Sequence, residues 1–430
     1  MSGNIKNRPE KHLAMDIEEK LKEARKKART RAKKAVGLNI DNKPDVAPVK
    51  EHTTALVLSG GAARGAYEMG VWQALRELGT KIDIVCGTSI GAMNSYIVAQ
   101  DRYDDAVKLW SGLHTEEVFN LEDILENHGV TFTGITEVLR RDFPEENVRK
   151  SDMEFGICTV KITEGEKLDL SAVKPLYLWK EDIPEGEMLD YVLASCACYP
   201  VVKPYEIDGE KYLDGGYYDY MPIRMALEKG AEKIIVVNLD VFGHMQKEDL
   251  EIAGDRMVMI APSWDLGSTY IFEPGNISRI MRLGYLDAMK AFGVFDGKKY
   301  AFVKGSTDNR SIASAERAGQ ILDLDPGIIY TGESFRKAIA AEIKLHKLPE
   351  SKSRKNLERE LEKLLREGLN WSNIKEAAEE TDDHNRERAF LKVCALLARP
   401  DVSDILKAGC RKVLGKDYGA AQWLIKNKLI

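Results

Sequence analysis

Gly87-Thr88-Ser89-Ile90-Gly91 sets a serine hydroxyl between glycines, directly after the apolar run Ile82 to Cys86 and directly before a second one, Ile90 to Ala99. The first run suits a strand and the second a buried helix. A chain that turns sharply from strand to helix needs small residues on either side of the turn, because the flanking backbones approach closely. The serine then stands at a helix N-terminus, where the backbone dipole favours negative charge. A hydroxyl so placed suits attack on an acyl carbonyl. The five-residue pattern alone is weak, and the strand–turn–helix context is what gives it weight.

A second candidate lies just upstream, at the junction between Ala55-Leu56-Val57-Leu58 and the amphipathic stretch Ala66 to Leu78. Gly60-Gly61-Ala62-Ala63-Arg64-Gly65 is rich in small residues there. Acyl transfer develops negative charge on the carbonyl oxygen, and preorganised backbone N–H groups commonly hold it. A phosphate cradle would end Gly-Lys-Ser/Thr, whereas this loop ends Arg64-Gly65. The dinucleotide fingerprint fails as well, since Ala62 stands where its second glycine belongs. A purely structural glycine turn remains the alternative.

A serine needs a base within hydrogen-bond reach. His244, His346 and His384 are the histidines late in the chain; all three fall in polar or charged segments and read as solvated surface residues. Asp214, in Tyr212-Leu213-Asp214-Gly215-Gly216, is the better candidate, because it ends a short apolar strand and two glycines let other backbone press close. Aspartate is ordinarily too acidic for this task, and partial desolvation would raise its pKa. Asp-Gly-Gly also suits an ordinary turn, so its value lies in its company.

Short apolar runs alternate with helical segments from Thr54 onward, including Glu154 to Val160 and Lys233 to Leu239. That alternation predicts an α/β fold whose parallel sheet is covered on both faces. After about Ser334 the chain becomes helical and charged, with helices expected over 336–345, 355–368 and 384–397. At the other end, 13–36 reads as a helix with a mostly alanine stripe and a basic opposite face, followed by a linker to residue 52. The organisation expected is therefore 1–52, a catalytic domain over 53–332, and a helical extension over 333–430.

The 430 residues carry 63 Lys and Arg against 69 Asp and Glu, and nine of the cations crowd between Lys20 and Lys34. The remainder is acidic, so no nucleic-acid partner is expected. The basic helix could contact an anionic membrane, although alanine buries too little area to hold it there alone. No apolar run reaches the roughly 20 residues that span a bilayer, and the polar start lacks a signal peptide's apolar core. A soluble cytoplasmic protein, with at most peripheral membrane contact, is the expectation. Six scattered cysteines without a CxxC pair read as reduced and buried, and no His falls at metal-ligand spacing from another His or Cys.

Together, and in this order, the motifs resemble the patatin-like phospholipase family. Leu58 to Tyr67 is similar to its glycine-rich oxyanion loop, Gly87 to Ala92 to its nucleophile elbow, Asp214-Gly215-Gly216 to its base motif, Asp219-Tyr220-Met221-Pro222 to the segment after it, and Ala194 to Pro200 to the small-residue segment before the base strand. The likeness covers roughly residues 53 to 300. It implies a three-layer α/β/α fold with a mainly parallel sheet and a Ser89–Asp214 dyad. It also implies an oxyanion site at the backbone of Gly60, Gly61 and Ala62 with Arg64 beside it, and supporting glycines at 65, 87, 91, 215 and 216. Acyl lipids are the implied substrates, with neither metal nor organic cofactor. A transacylase or an inactive lipid-binding scaffold would share these features. Two positions depart from the pattern: Ala62 replaces a third glycine, which a methyl group tolerates if φ is negative there, and Tyr220 stands where asparagine is common, which bears on local packing.

Overall fold

The computed structural model describes residues 53–119, 130–163, 173–241, 243–345, 385–400 and 404–430. The basic helix, its linker and the helix expected over 355–368 lie outside these residues, as do His346 and His384. Two compact units divide between Val294 and Phe295. That division comes before the boundary at 332 that composition suggested, because the short strands beyond Phe295 pair only among themselves.

The unit ending at Val294 is built on one sheet of eight strands. In chain order these are β1 (Thr54–Leu58), β2 (Ile84–Thr88), β3 (Glu154–Ile162), β4 (Val173–Trp179), β5 (Tyr205–Ile207), β6 (Glu210–Asp214), β7 (Lys233–Val237) and β8 (Met257–Ile260). The order across the sheet is β5-β6-β3-β2-β1-β7-β8, with β4 also paired to β3. Strands β3, β2, β1, β7 and β8 run parallel, whereas β4 and β6 run antiparallel to β3. Every residue of β1 and β2 is buried, as expected of central strands covered on both faces.

The covering helices are α1 (Ala66–Leu78), α2 (Ile90–Val98), α3 (Tyr103–Gly112), α4 (Thr133–Asp142), α5 (Met188–Ser195), α6 (Ile223–Glu228) and α7 (Pro274–Ala291). Alternate strand residues Ala55, Val57, Ile84, Cys86, Ile234 and Val236 pack with Ile223, Met225 and Ala226 of α6. Helix α2 packs on β1, β2 and β3, and α7 packs along α1. Each fully buried aliphatic side chain contributes about 1.5–3 kcal/mol, so this double-sided core makes a stiff platform for the strand ends. Helix α1 stops where expected, at Gly79, whose φ of 67° is the left-handed cap glycine adopts cheaply. The second strand begins at Ile84 rather than Ile82; just before it, Asp83 is tied to Thr54 by both its N–H and its carboxylate, and its carbonyl accepts the Glu154 N–H.

The unit from Phe295 onward has a small sheet, β9 (Phe295–Asp296), β10 (Ala301–Val303) and β11 (Ile329–Tyr330), and the helices α8 (Ile312–Ile321), α9 (Gly332–Leu345), α10 (Asn385–Leu397), α11 (Asp404–Leu414) and α12 (Tyr418–Lys426). Its core centres on Phe335, whose ring meets those of Tyr330, Phe302 and Tyr300 at 4.9, 5.0 and 5.2 Å. All six cysteines are free. No helix among the described residues is long and apolar enough to cross a membrane.

Candidate active site

Ser89 sits between the end of β2 and the first turn of α2, with φ 57° and ψ −128°. That conformation is sparsely populated for a residue with a Cβ and costs on the order of 1–3 kcal/mol. The flanking glycines make it sterically feasible: a Cβ on Gly87 would lie 2.2 Å from the Gly91 carbonyl oxygen, and one on Gly91 would lie 2.3 Å from the Leu58 oxygen. The Ser89 carbonyl accepts the N–H groups of Ala92 and Met93, which locks the turn to the helix.

Asp214 closes β6, where it lies opposite Thr159 of β3. Its Oδ1 accepts the Gly216 N–H at 2.8 Å, and the Ser89 hydroxyl is near enough to act on the same carboxylate's pKa. The carboxyl is only 5% exposed. Burial pushes its pKa up from 3.8 to about 6, against the opposing pull of the Ser89 and Gly216 hydrogen bonds. Gly215 admits no substitute without a shift of the backbone, since its Cβ would meet the Cys158 carbonyl oxygen at 2.2 Å. A second carboxyl, Asp219, is raised to about 7 by burial, but it accepts hydrogen bonds from Tyr177 and Met221 rather than from Ser89.

The glycine-rich loop lies against Ser89: a Cβ placed on Gly60 would stand 3.3 Å from the Ser89 Cβ. Its amides are not equivalent. The Gly60 N–H donates to the Tyr220 carbonyl at 3.1 Å, Ala63 N–H to Thr269 at 2.8 Å and Arg64 N–H to Gly61 at 3.1 Å. Gly61 and Ala62 N–H have no acceptor among the described residues. The expected group of Gly60, Gly61, Ala62 and Arg64 thus narrows to two available amides. The Arg64 guanidinium clasps the Gly267 and Asp240 carbonyls, so its visible work is to tie the loop down. Gly65 packs against Ile90 and Asn94 of α2, and Gly216 supplies the amide that holds Asp214.

Ala62 has φ 46°. The condition under which a methyl group is harmless there is therefore not met, and the left-handed backbone costs an alanine roughly 1–2 kcal/mol relative to glycine. The turn forces this angle, because Ala63 and Arg64 must point their amides at Thr269 and Gly61. Tyr220 fits: it is nearly buried, its carbonyl holds Gly60, its ring covers Gly243, and its hydroxyl donates to Asn238 at 3.3 Å.

Ser89, Asp214, Gly60, Gly61 and Ala62 line a cavity of about 510 Å³. Most of its wall is apolar, with Met93, Leu113, Phe119, Phe132, Ile135 and Phe272 prominent. Phe119 and Phe132 share no helical or strand period and Phe272 is distant in sequence, so no pattern announced them; Phe119 meets Phe272 at 5.8 Å and Phe132 at 6.0 Å. His244, read as a surface residue, is exposed yet borders this cavity. Its backbone donates to Gly216 and accepts from Tyr220, while no hydrogen bond joins its ring to Ser89 or Asp214 among the described residues. No cluster among the described residues could hold a metal ion. What the arrangement offers is a hydroxyl and a carboxylate of raised pKa on one cavity wall, with two free amides and an apolar lining.

Residues 56–227 match the family profile described as patatin-like phospholipase. The chain is 28% identical over 214 residues to patatin-like phospholipase domain-containing protein 6 of Mus musculus, covering 48% of this chain and 15% of that protein. It is 31% identical over 195 residues to lysophospholipase nte1 of Aspergillus terreus, covering 44% and 12%. With lysophospholipase NTE1 of Saccharomyces cerevisiae the identity is 27% over 247 residues, covering 55% and 14%. The chain thus spans only a small fraction of the length of these relatives.

Proposed function

We propose that the protein is a serine acyl hydrolase of lipid carboxylic esters, with Ser89 as nucleophile and Asp214 as its base. The observation that supports this reading is that Ser89 shares a cavity wall with Asp214, a buried carboxylate whose pKa burial raises to about 6. At neutral pH such a group is ionised yet more basic than an exposed aspartate, which is the compromise a general base requires.

Ser89 Oγ attacks the ester carbonyl carbon as its proton passes to Asp214. The carbonyl oxygen gains the negative charge and is met by the Gly61 and Ala62 N–H groups; each such donor is worth about 10²–10³ in rate. The tetrahedral adduct collapses, the C–O bond to the alcohol breaks, and Asp214 returns the proton to the departing oxygen. Water then adds to the acyl-enzyme with Asp214 again as base, and the acid leaves with Ser89 restored. The apolar wall of the cavity suits an acyl chain, and the names of the relatives, phospholipase and lysophospholipase, agree with that substrate class.

The test is cleavage of lysophospholipid and of a short-chain p-nitrophenyl ester by the folded protein and by Ser89→Ala and Asp214→Asn. Both variants should lose ester cleavage, and a fluorophosphonate should label the native chain at Ser89 alone. Full activity in either variant overturns the assignment of that residue.

A further inference from the structure

The segment before the base strand has no part in the chemistry just described, yet it touches both halves of the pair. Ser195, the last residue of α5, is fully buried and its side chain is outside the cavity lining. Its hydroxyl works in both directions, accepting the Ser89 N–H at 2.8 Å and donating to the Cys158 carbonyl at 2.6 Å. Two residues on, the Ala197 carbonyl accepts the Asp214 N–H at 3.0 Å. The Cys158 carbonyl is also the group that presses on Gly215. One strand oxygen and one short segment therefore meet the nucleophile and the base together.

We infer that Ser195 is a positioning residue, whose hydroxyl holds the Ser89 amide and thereby the backbone conformation that aims Ser89 Oγ at Asp214; this rests on the dyad reading above. The conformation at Ser89 is unfavourable and persists only where its surroundings over-determine it. On its C-terminal side α2 supplies that constraint through the Ser89 carbonyl. On its N-terminal side the constraint on the amide is Ser195. Without the hydroxyl, the Ser89 N–H is left inside the protein with no acceptor, and the Thr88–Ser89 peptide can relieve this by rotating, which swings Oγ away. Packing alone would be met by alanine, as it is at Ala194 and Ala197; the hydroxyl is what exceeds the packing requirement. The same bond directs the Ser89 amide away from the substrate, which leaves oxyanion binding to Gly61 and Ala62.

The experiment uses the full chain and a soluble p-nitrophenyl ester, with kcat, KM and the rate of fluorophosphonate labelling measured at constant pH. Ser195→Ala should lower kcat and the labelling rate by about 10–100-fold, the scale of an ångström-sized misplacement, with KM within about threefold of the wild type. Ser195→Cys fills the same space with a weak donor and acceptor and should fall between the two. Ser95→Ala removes a buried hydroxyl that has no partner, on the neighbouring helix, and should keep wild-type kcat. Wild-type kcat in a folded Ser195→Ala or Ser195→Cys, or an equal loss in Ser95→Ala, overturns the inference. Where Ser195→Ala does not fold, Ser195→Cys decides alone. Ser89→Ala separates the two levels: if it keeps activity the dyad reading fails, and if it is inactive while Ser195→Ala is not, only the positioning role fails.

Discussion

Asp214→Asn should make the protein more stable while removing its activity, and the size of the gain follows from the buried charge. Asparagine keeps an oxygen for the Gly216 N–H and places an amide against the Ser89 hydroxyl, so shape and hydrogen bonding are preserved. The carboxyl's pKa rises from 3.8 to about 6 on folding. At 1.36 kcal/mol per pH unit, holding the ionised form inside the fold costs about 3 kcal/mol. The sign follows from proton linkage: a raised carboxyl pKa means that folding favours the protonated form. Below about pH 4 the folded and unfolded chains both hold the proton and the cost is absent. It grows as pH rises from 4 to 6 and is complete above 6. The variant carries no charge at any pH, so its advantage should be near zero at pH 4 and about 3 kcal/mol at pH 8. For a unit of this size that is a rise in Tm of roughly 6–12 °C at pH 8. Thermal unfolding of both proteins at pH 4, 6 and 8 measures it, with ester cleavage assayed on the same samples. A variant no more stable than the wild type at pH 8 would refute the claim that the Asp214 charge is held at a cost to the fold.

The same carboxyl sets the pH dependence of catalysis: kcat/KM for a neutral ester should fall tenfold per pH unit below an apparent pKa of about 6, and a plateau extending down to pH 4 would remove Asp214 as the base. Ala62→Gly relieves a left-handed alanine worth roughly 1–2 kcal/mol but frees the unfolded chain by about 0.4–1, so denaturation should report a net gain of about 0.5–1 kcal/mol, and a loss would contradict the strain assigned to φ 46°. His244→Ala should reduce kcat by less than tenfold, since losing a general base costs 10²–10⁴; a loss in that larger range would make His244 the third member of a triad. Deleting residues 1–36 should weaken binding to anionic vesicles in a salt-dependent way, and unchanged binding at low salt would end the membrane role expected of the basic helix.

How far the site could be read in advance depended on whether a residue's role is local or comes from distant neighbours. Ser89 was legible because strand, turn and helix follow one another within a few residues, and the Gly87–Gly91 contact that permits the turn is itself a sequence spacing. Asp214 was less so: Asp-Gly-Gly describes many turns, and what fits this one to the proposed role of base is burial and the approach of Cys158, which the sequence holds apart by more than fifty residues. The individual amides of the glycine-rich loop were beyond reach, because Gly60 is engaged by Tyr220 and Ala63 by Thr269, partners that only the sheet order brings near. The expected parallel alternation held for β1, β2, β3 and β7, whose apolar runs record burial, while the half-exposed edge strand β8 was not foreseen. It missed the antiparallel margin of β4, β5 and β6, where burial is partial and the pattern mixed. That margin delivers Asp214 to Ser89. Because β6 runs against β3, the last residue of the strand arrives beside the neighbouring strand's Thr159 and one step from the Cys158 carbonyl, at the level where β2 gives way to its helix. A parallel β6 in the same place would present its first residue there instead, and the carboxylate would lie further along β3, beyond Lys161 and away from Ser89. The chemistry written in two short motifs therefore rests on a reversal of strand direction that neither motif contains.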